Sequence, residues 1–295
     1  MTSPNLTLDE AHLRRLAENA LAEDRAREDV TTAALVPDDQ RGSGIIIAKA
    51  DGVLAGLPVA RAVFLAADSS LAWQPHGEDG DSVSPGDRVA TVEGSLASVL
   101  RAERAALNFL THLSGVATAA AALVQALEGT NCRLRDTRKT IPGLRDLEKY
   151  AVRVGGGANH RPNLAEGVLI KDNHLAALRS RGLGISDAVR LAREALARLG
   201  NPEMPIEIEV TSVEEARQAL DARADELLLD NMSPDAMREV VALAAARDQR
   251  PLLEASGGIT LDNARQVAET GVDFISVGAV THSARALDMS LDIEA

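Results

Sequence analysis

Aromatic residues and cysteine are scarce in this chain. Only 2% of its 295 residues are aromatic, and Cys132 is its single cysteine. Few aromatic side chains disfavour a protein that binds single-stranded nucleic acid by base stacking. One cysteine excludes an intrachain disulfide and a cluster of thiolate metal ligands. We therefore expect an aliphatic core, with Cys132 as a small buried side chain rather than a nucleophile.

Net positive charge and long apolar runs are also lacking. The formal net charge is −13, which disfavours nucleic acid and anionic membranes as partners because both are negatively charged. The N-terminus has no basic flank followed by an apolar run, and the longest aliphatic stretch, 116–127, is too short to span a bilayer. No HExxH or similar zinc spacing occurs. We expect a soluble, cytoplasmic protein that binds neither nucleic acid nor membrane.

The hydrophobic pattern changes at about Gly115. Before it, helix and strand patterns mix, and a long helix is predicted to begin after an N-cap at Ser95. After it, short Val/Ile/Leu runs alternate with amphipathic helices, two of which have N-caps at Ser212 and Ser233. Such alternation indicates parallel strands buried on both faces. The region of about 160 residues is short for a complete (β/α)₈ barrel, so we predict an incomplete one.

Basic residues concentrate in one segment, 133–171. It contains nine lysines and arginines against four aspartates and glutamates, in a chain that is acidic as a whole. Four of the basic residues lie in or near predicted strand ends: Arg138, Lys139, Arg161 and Lys171. Reactive groups of parallel barrels lie at the carboxyl ends of strands. We therefore predict a cationic site for a small polyanion, with solvated surface charge as the alternative.

Carboxylates end two of the predicted strands. Glu207 and Glu209 fall on the same side of one strand by its period of two, and Asp230 ends the next apolar run. Burying an unpaired carboxylate is costly, so its position at a strand end needs a reason. Hydroxyl recognition, Mg²⁺ ligation and stabilisation of a developing positive charge are the functional hypotheses. A helix N-cap or a salt bridge is the structural alternative.

Glycines follow several of the predicted strands. Ser256-Gly257-Gly258 ends one strand and 276–279 (Ser-Val-Gly-Ala) ends the last, a pattern that favours a phosphate site built from backbone N–H groups. A run of three glycines at 155–157 would let the backbone approach a ligand closely, although a flexible loop is the simpler interpretation.

Two charges interrupt the apolar stripe of the long helix. Glu103 falls inside the stripe and Arg104 on its edge. Charges at such positions need a partner. They either pair with each other or meet a second subunit, in which case Arg104 reaches a neighbouring site.

The combination of two motifs resembles the quinolinate phosphoribosyltransferase family. These motifs are DTRKTIPGLR at 136–145 and GGGANHR at 155–161, with KYAV at 149–152 between them. The resemblance extends over nearly the whole chain through EDVTT at 28–32, ER at 103–104, LNF at 107–109, LSGVAT at 113–118, IKDNH at 170–174, LDN at 229–231 and EASGGI at 254–259.

The resemblance implies an α/β fold with two domains. An N-terminal α/β sandwich would occupy 1–114, an incomplete parallel α/β barrel 115–279, and the tail 280–295 would pack back on the first domain. It also implies a homodimer or a larger oligomer. The implied reaction joins quinolinate to 5-phosphoribosyl 1-pyrophosphate (PRPP) with Mg²⁺, giving nicotinate mononucleotide, pyrophosphate and CO₂ in NAD biosynthesis.

The resemblance also suggests roles for individual residues. Lys139, Lys171, Glu209 and Asp230 would be catalytic, and Glu209 and Asp230 would also hold Mg²⁺. Arg104 of a neighbouring subunit would complete the quinolinate pocket. The substrate-binding set within the chain is Thr137, Arg138, Lys139, His160, Arg161, Lys171, Glu209, Asp230, Ser256, Gly257, Gly258, Ser276 and Gly278.

Three other functions fit parts of the pattern. A related pyrophosphorylase associated with molybdenum transport would share the barrel but take another acceptor. A Schiff-base aldolase would use Lys171 as its nucleophile. A binding module would hold a phosphometabolite without turnover.

Overall fold

The computed structural model describes residues 8–37 and 39–294. The chain divides into two compact units, each made of discontinuous segments. The N-terminal unit comprises Met1–Ala121, Thr140–Gly156 and Ala279–Ala295, and the barrel unit comprises Ala122–Lys139 and Gly157–Gly278.

The elements alternate along the chain as expected for an α/β protein. The helices are α1 (Glu10–Glu23), α2 (Val30–Leu35), α3 (Leu57–Ala67), α4 (Leu96–Ala126), α5 (Arg145–Val154), α6 (Asp172–Arg179), α7 (Ile185–Arg198), α8 (Val213–Asp221), α9 (Pro234–Ala245), α10 (Leu261–Ala268) and α11 (Ala279–His282). The strands are β1 (Arg41–Ala48), β2 (Gly52–Val53), β3 (Ala72–Pro75), β4 (Ser82–Val83), β5 (Arg88–Ser95), β6 (Arg133–Arg135), β7 (Val168–Ile170), β8 (Ile206–Val210), β9 (Glu226–Asp230), β10 (Leu252–Ser256), β11 (Phe274–Ser276) and β12 (Met289–Glu294).

The N-terminal unit is built on an antiparallel sheet with the strand order β12-β1-β5-β3. The last strand of the chain pairs with the first, so that Ile46 lies opposite Leu291. Helices α3 and α4 cover this sheet, and Ile46, Phe64 and Leu110 are fully buried in their shared core. The C-terminal tail is therefore part of this unit.

Helix α4 begins where the sequence predicts. The Ser95 hydroxyl accepts a hydrogen bond from Ser98 N at 3.3 Å, which caps the first turn. The helix has 31 residues, and among the described helices it is long and apolar enough to cross a membrane. Half of its most apolar 18-residue window is buried inside the protein.

The segment Thr140–Gly156 belongs to the N-terminal unit, although the sequence analysis groups it with the barrel. It carries α5, and Gly155 at the end of that helix approaches α4 closely. A Cβ atom on Gly155 would lie 2.4 Å from Ala117 O and 2.8 Å from Ala120 Cβ. The first glycine of the 155–157 run is therefore needed for the packing of α5 against α4.

The barrel unit contains one parallel sheet of six strands, in the order β6-β11-β10-β9-β8-β7. Six strands, instead of the eight of a complete barrel, confirm the predicted incomplete architecture. All carboxyl ends lie at the same edge, where Ser256 pairs with Asp230 and Ser276 with Arg135. The hydroxyls of Ser212 and Ser233 cap α8 and α9 as predicted, at 3.2 and 3.3 Å.

Candidate active site

The carboxyl edge of the parallel sheet brings predicted cationic and acidic residues together. Lys171 directly follows β7, and its ammonium Nζ lies 3.3 Å from Glu209 Oε2 near the end of β8. The Lys171 side chain is 47% exposed, whereas that of Glu209 is only 11% exposed. The two side chains therefore form an ion pair at the edge of the sheet.

Asp136 joins the two diagnostic motifs of the sequence. Its buried carboxylate accepts hydrogen bonds from Asn159 Nδ2 at 2.6 Å and from His160 N at 2.8 Å. A parallel bridge between Arg135 and Ala158 brings the same two segments into register. Residues 136–139 and 158–161 are therefore held as one structural unit at the edge of the sheet.

Arg138 and Arg161 lie close enough to repel each other. Burial lowers the pKa of the Arg161 guanidinium, and the nearby charge of Arg138 lowers it further. Arg161 Nη1 donates to Gly167 O at 2.7 Å, while its buried Nε has no hydrogen-bond partner among the described residues. Two neighbouring guanidinium groups, one of them with an unsatisfied buried donor, could together bind an anion.

His160 lies behind this pair and is anchored through both ring nitrogens. Nε2 lies 2.8 Å from Glu207 Oε2, and Nδ1 accepts the Arg161 backbone N–H at 2.8 Å. Burial lowers the pKa of His160, but the hydrogen bond to Glu207 and the charge of Glu254 outweigh it and raise the pKa overall. Because Nδ1 accepts the bond from Arg161 N, Nε2 is the nitrogen that donates to Glu207.

A buried ionic network lies beneath His160. Arg135 Nη1 donates to Glu254 Oε2 at 2.6 Å and also to Glu226, while its guanidinium carbon lies 3.4 Å from the centroid of the Phe274 ring. Burial raises the pKa of both carboxyl groups, and the charge of Glu207 raises that of Glu254 further. One arginine thus bonds to the fully buried carboxyl group of Glu254 and to the largely buried one of Glu226.

Most of this network is not predicted from the sequence. Arg135, Glu226 and Glu254 were not proposed as functional, and Glu207 was noted only for its side of the strand. The available signal was the presence of charges within otherwise apolar strands. Among the described residues, His160, Glu207 and Glu254 form the set whose potential metal-ligand atoms lie within 4.8 Å of one another. The predicted ligands Glu209 and Asp230 are not part of this set.

The predicted phosphate loop follows β10. Gly257 and Gly258 have φ values of +89° and +60°, which glycine adopts without a steric penalty. Behind the loop, Asn263 Nδ2 donates to Gly258 O at 3.0 Å and its Oδ1 accepts from Thr260 N at 2.9 Å. Ser256 pairs with the neighbouring strand β9 at Asp230. On the other side, Val277 N, between Ser276 and Gly278, donates to Arg135 O at 3.1 Å.

The remaining predicted site residues are Thr137, Lys139 and Arg104. Thr137 accepts a hydrogen bond from Lys139 N at 3.0 Å, and Lys139 is exposed. Arg104 belongs to the N-terminal unit, where its side chain is 64% exposed and lies 3.9 Å from Glu103. Burial raises the pKa of Glu103 against the opposing charge of Arg104. The surface position of Arg104 leaves its guanidinium accessible.

Cys132 is buried, as predicted, and should be unreactive in the folded protein. Burial and the charge of Asp273 raise the pKa of its thiol to about 12. Because only the thiolate is an effective nucleophile, we expect no labelling by iodoacetamide at pH 8 and prompt labelling in guanidinium chloride. Mass spectrometry would count the adducts. Equal labelling rates in both conditions would contradict the buried placement.

Comparison with known proteins identifies the family. Residues 29–114 match the N-terminal domain of quinolinate phosphoribosyl transferase, and residues 116–292 match its C-terminal domain. The chain belongs to the quinolinate phosphoribosyltransferase family. The nicotinate-nucleotide pyrophosphorylase [carboxylating] of Mycobacterium leprae is 42% identical over 95% of this chain and 96% of its own length. A probable enzyme of the same name from Bacillus subtilis is 38% identical over 97% and 95%.

Solved structures agree with this membership. The nicotinate-nucleotide pyrophosphorylase of Francisella tularensis superposes with a TM-score of 0.90 at 36% identity, over the full length of both chains. The predicted fold class is confirmed by this match. The chain is therefore a pentosyltransferase that forms nicotinate mononucleotide, pyrophosphate and CO₂ from quinolinate and PRPP.

Proposed function

We propose that this chain carries out its phosphoribosyl transfer at the carboxyl edge of the parallel sheet. Arg138 and Arg161 bind the two carboxylates of quinolinate, and the loop from Ser256 to Gly258 binds the 5′-phosphate of PRPP. The observation that carries the proposal is the buried Nε of Arg161, which has no hydrogen-bond partner among the described residues and belongs to a guanidinium whose pKa is lowered by burial and by the nearby charge of Arg138. A dicarboxylate would neutralise both charges and could accept the hydrogen bond from Nε.

The acidic residues at the same edge stabilise the transition state. When pyrophosphate leaves C1′, positive charge develops on the ribosyl ring, and the carboxylates of Glu209 and Asp230 stabilise it electrostatically. Lys171 holds the Glu209 carboxylate through their 3.3 Å contact. Lys139 is exposed in the segment that follows β6, and its positive charge binds anionic groups of the substrates. The ring nitrogen forms the new bond to C1′ and becomes positively charged. When the C2 carboxylate departs as CO₂, the bonding electron pair stays on C2, where the adjacent positive nitrogen stabilises it until C2 takes up a proton.

The acidic donors fit a magnesium ion brought in by PRPP. Mg²⁺ is commonly bound by one or two carboxylates together with substrate phosphates and water. Glu209 and Asp230 supply two carboxylates on adjacent strands, without forming a closed cage of protein ligands. Bound there, the ion would neutralise charge on the departing pyrophosphate. Both residues would then contact the ion and the ribose.

The proposed reaction is tested directly with the purified protein. We expect CO₂ release and nicotinate mononucleotide only when quinolinate, PRPP and Mg²⁺ are all present. Nicotinate in place of quinolinate is the matched control for acceptor choice. PRPP binding without turnover would instead indicate a phosphometabolite-binding module, and turnover with another acceptor would indicate the related pyrophosphorylase.

The oligomer is proposed to be a homodimer or larger, with Arg104 completing a neighbouring site. An inactive Arg104→Ala protein mixed with an inactive Lys171→Ala protein should then regain activity. Random reassortment of a two-fold dimer makes about half of the dimers mixed, each with one intact site, so about a quarter of wild-type activity is expected. Absence of recovery after subunit exchange, verified by native mass spectrometry of tagged subunits, would refute the shared site.

A cytoplasmic location is proposed from the bacterial relatives. The names of two related plant enzymes give other locations, chloroplastic for that of Arabidopsis thaliana and mitochondrial for that of Nicotiana tabacum. Fractionation of the native cell, with the protein recovered in the cytosolic fraction, would support the proposal.

A further inference from the structure

Asn231 has an unusual backbone conformation directly after the strand that ends in Asp230. Its φ is +53°, in the left-handed region that asparagine and glycine tolerate better than other residues. Its backbone N donates to Ser256 O at 2.8 Å, which extends the pairing of β9 with β10 by one bond. The left-handed turn therefore occurs while the two strand ends are still joined.

The side chain of Asn231 contacts two parts of the proposed PRPP site. Nδ2 donates to Asp230 Oδ2 at 2.8 Å. An ionised carboxylate can only accept hydrogen bonds, which settles that the amide N–H₂ faces Asp230. The amide oxygen then lies over Gly257, where a Cβ atom would be only 2.3 Å from Oδ1 and 2.4 Å from Cγ. One amide thus connects the acidic residue to the glycine loop.

We propose that Asn231 is a positioning residue for PRPP, holding the Asp230 carboxylate at a fixed distance from the Ser256–Gly258 loop. The inference rests on the proposed roles of Asp230 at the ribose and of the loop at the 5′-phosphate. Both groups must meet one substrate molecule at the same time, so their separation matters as much as their identity. The bond from Asn231 restrains Asp230 Oδ2, while the contact with Gly257 restrains the amide itself.

Two substitutions of Asn231 separate the role of its side chain from that of its backbone. Asn231→Gly keeps the positive φ and removes the amide, whereas Asn231→Asp keeps the side-chain shape but cannot donate to an ionised Asp230. Losing a hydrogen bond to a charged acceptor should raise the KM for PRPP roughly tenfold or more in both variants. The KM for quinolinate should stay within about twofold of wild type. Asn201→Ala, at an exposed asparagine after α7, is the control for a general loss of asparagine.

The contact between Asn231 and Gly257 can be tested independently, by measuring how Gly257→Ala changes PRPP binding. Gly257→Ala should weaken PRPP binding strongly in the wild-type background, because the new methyl group meets the Asn231 amide. In the Asn231→Gly background that clash is gone, and only the strain of alanine at φ +89° remains. We therefore expect the fold-change caused by Gly257→Ala to be at least several times smaller there, as non-additivity between contacting residues predicts.

Binding measurements keep the inference separate from the proposed reaction. Isothermal titration of wild type and Asn231→Gly with Mg²⁺–PRPP needs no turnover, so it can be read even if the proposed assay fails. The positioning role is overturned if PRPP affinity is unchanged in Asn231→Gly. It is also overturned if the KM values of both substrates rise equally, or if the two substitutions act additively.

Discussion

Replacing Arg161 with alanine is expected to lower kcat/KM for quinolinate by roughly 10²- to 10³-fold, the loss that follows when a desolvated charge partner is removed. Arg161 Nη1 is anchored on Gly167 O, and in the proposed site the remaining N–H donors of the guanidinium form a two-point edge for a ligand carboxylate. Lysine cannot reproduce that two-point edge, so Arg161→Lys should recover only a small part of the activity.

The same substitution should not destabilise the fold. Burial and the charge of Arg138 disfavour the charge of Arg161, whereas Glu207 and the hydrogen bond to Gly167 O favour the side chain in place, so alanine removes opposing effects. We expect the free energy of unfolding of Arg161→Ala to stay within about 1 kcal/mol of that of wild type. Loss of activity with retained stability marks a residue kept for function.

A matched surface arginine provides the control for this prediction. Arg190 on α7 pairs with Asp187 and Glu194, and its side chain is 53% exposed. Arg190→Ala should change neither kcat/KM nor stability appreciably. If Arg161→Ala retains wild-type turnover of quinolinate, the cationic pair does not bind the dicarboxylate and the proposed site is wrong.

Local patterns in the sequence predicted the elements of the site, because each depends on neighbouring residues. Ser95, Ser212 and Ser233 cap their helices where the sequence places them. The strand ends that carry Lys171 and Asp230 follow from apolar runs of ordinary strand length. Because the strands are parallel, their carboxyl ends lie at one edge of the sheet, so the location of the site follows once the strands are predicted.

Partners distant in sequence were not predictable from such patterns. Arg135 meets Glu254 across 119 positions, and no periodicity within β6 or β10 specifies that pairing. Gly155 likewise gives no local sign that Ala117 O lies against it. Helix α5 has an amphipathic pattern, but the pattern does not say which unit its apolar face will join. These features depend on tertiary packing. The sequence shows only that a charge stands in an apolar strand, or a glycine at the end of a helix, and not which residue it contacts.

Replacing Arg135 with methionine should cause a large loss of stability. The side chain neutralises Glu226 and Glu254 and packs on Phe274, and Glu254 is fully buried. Breaking a buried ionic cluster by removing one partner costs about 3 kcal/mol or more, because the remaining charges stay desolvated. Trp73 lies in the N-terminal unit, so tryptophan fluorescence would not report the barrel unit. Calorimetry, or hydrogen exchange of the β9 and β10 amides, is the appropriate measurement.

The loss should depend on pH in a defined direction. Burial raises the pKa of Glu226 and of Glu254 in the folded state. For a carboxyl group with a raised folded pKa, protonation favours the folded state, so stability increases as the pH falls through the folded pKa towards the unfolded value. Without Arg135 the folded pKa values rise further. The difference in unfolding free energy between wild type and Arg135→Met should therefore be greatest at pH 8 and shrink towards pH 5.

Two further variants decide whether buried charge is the cause. Glu254→Gln in the Arg135→Met background removes one of the uncompensated carboxylates, so it should recover part of the lost stability at pH 8 and little at pH 5. Arg217→Met breaks an exposed pair with Glu239 and should cost no more than about 1 kcal/mol at either pH. A loss in Arg135→Met that is independent of pH, and unchanged by Glu254→Gln, would mean that the arginine stabilises the barrel unit by packing on Phe274 rather than by neutralising the carboxylates beneath the site.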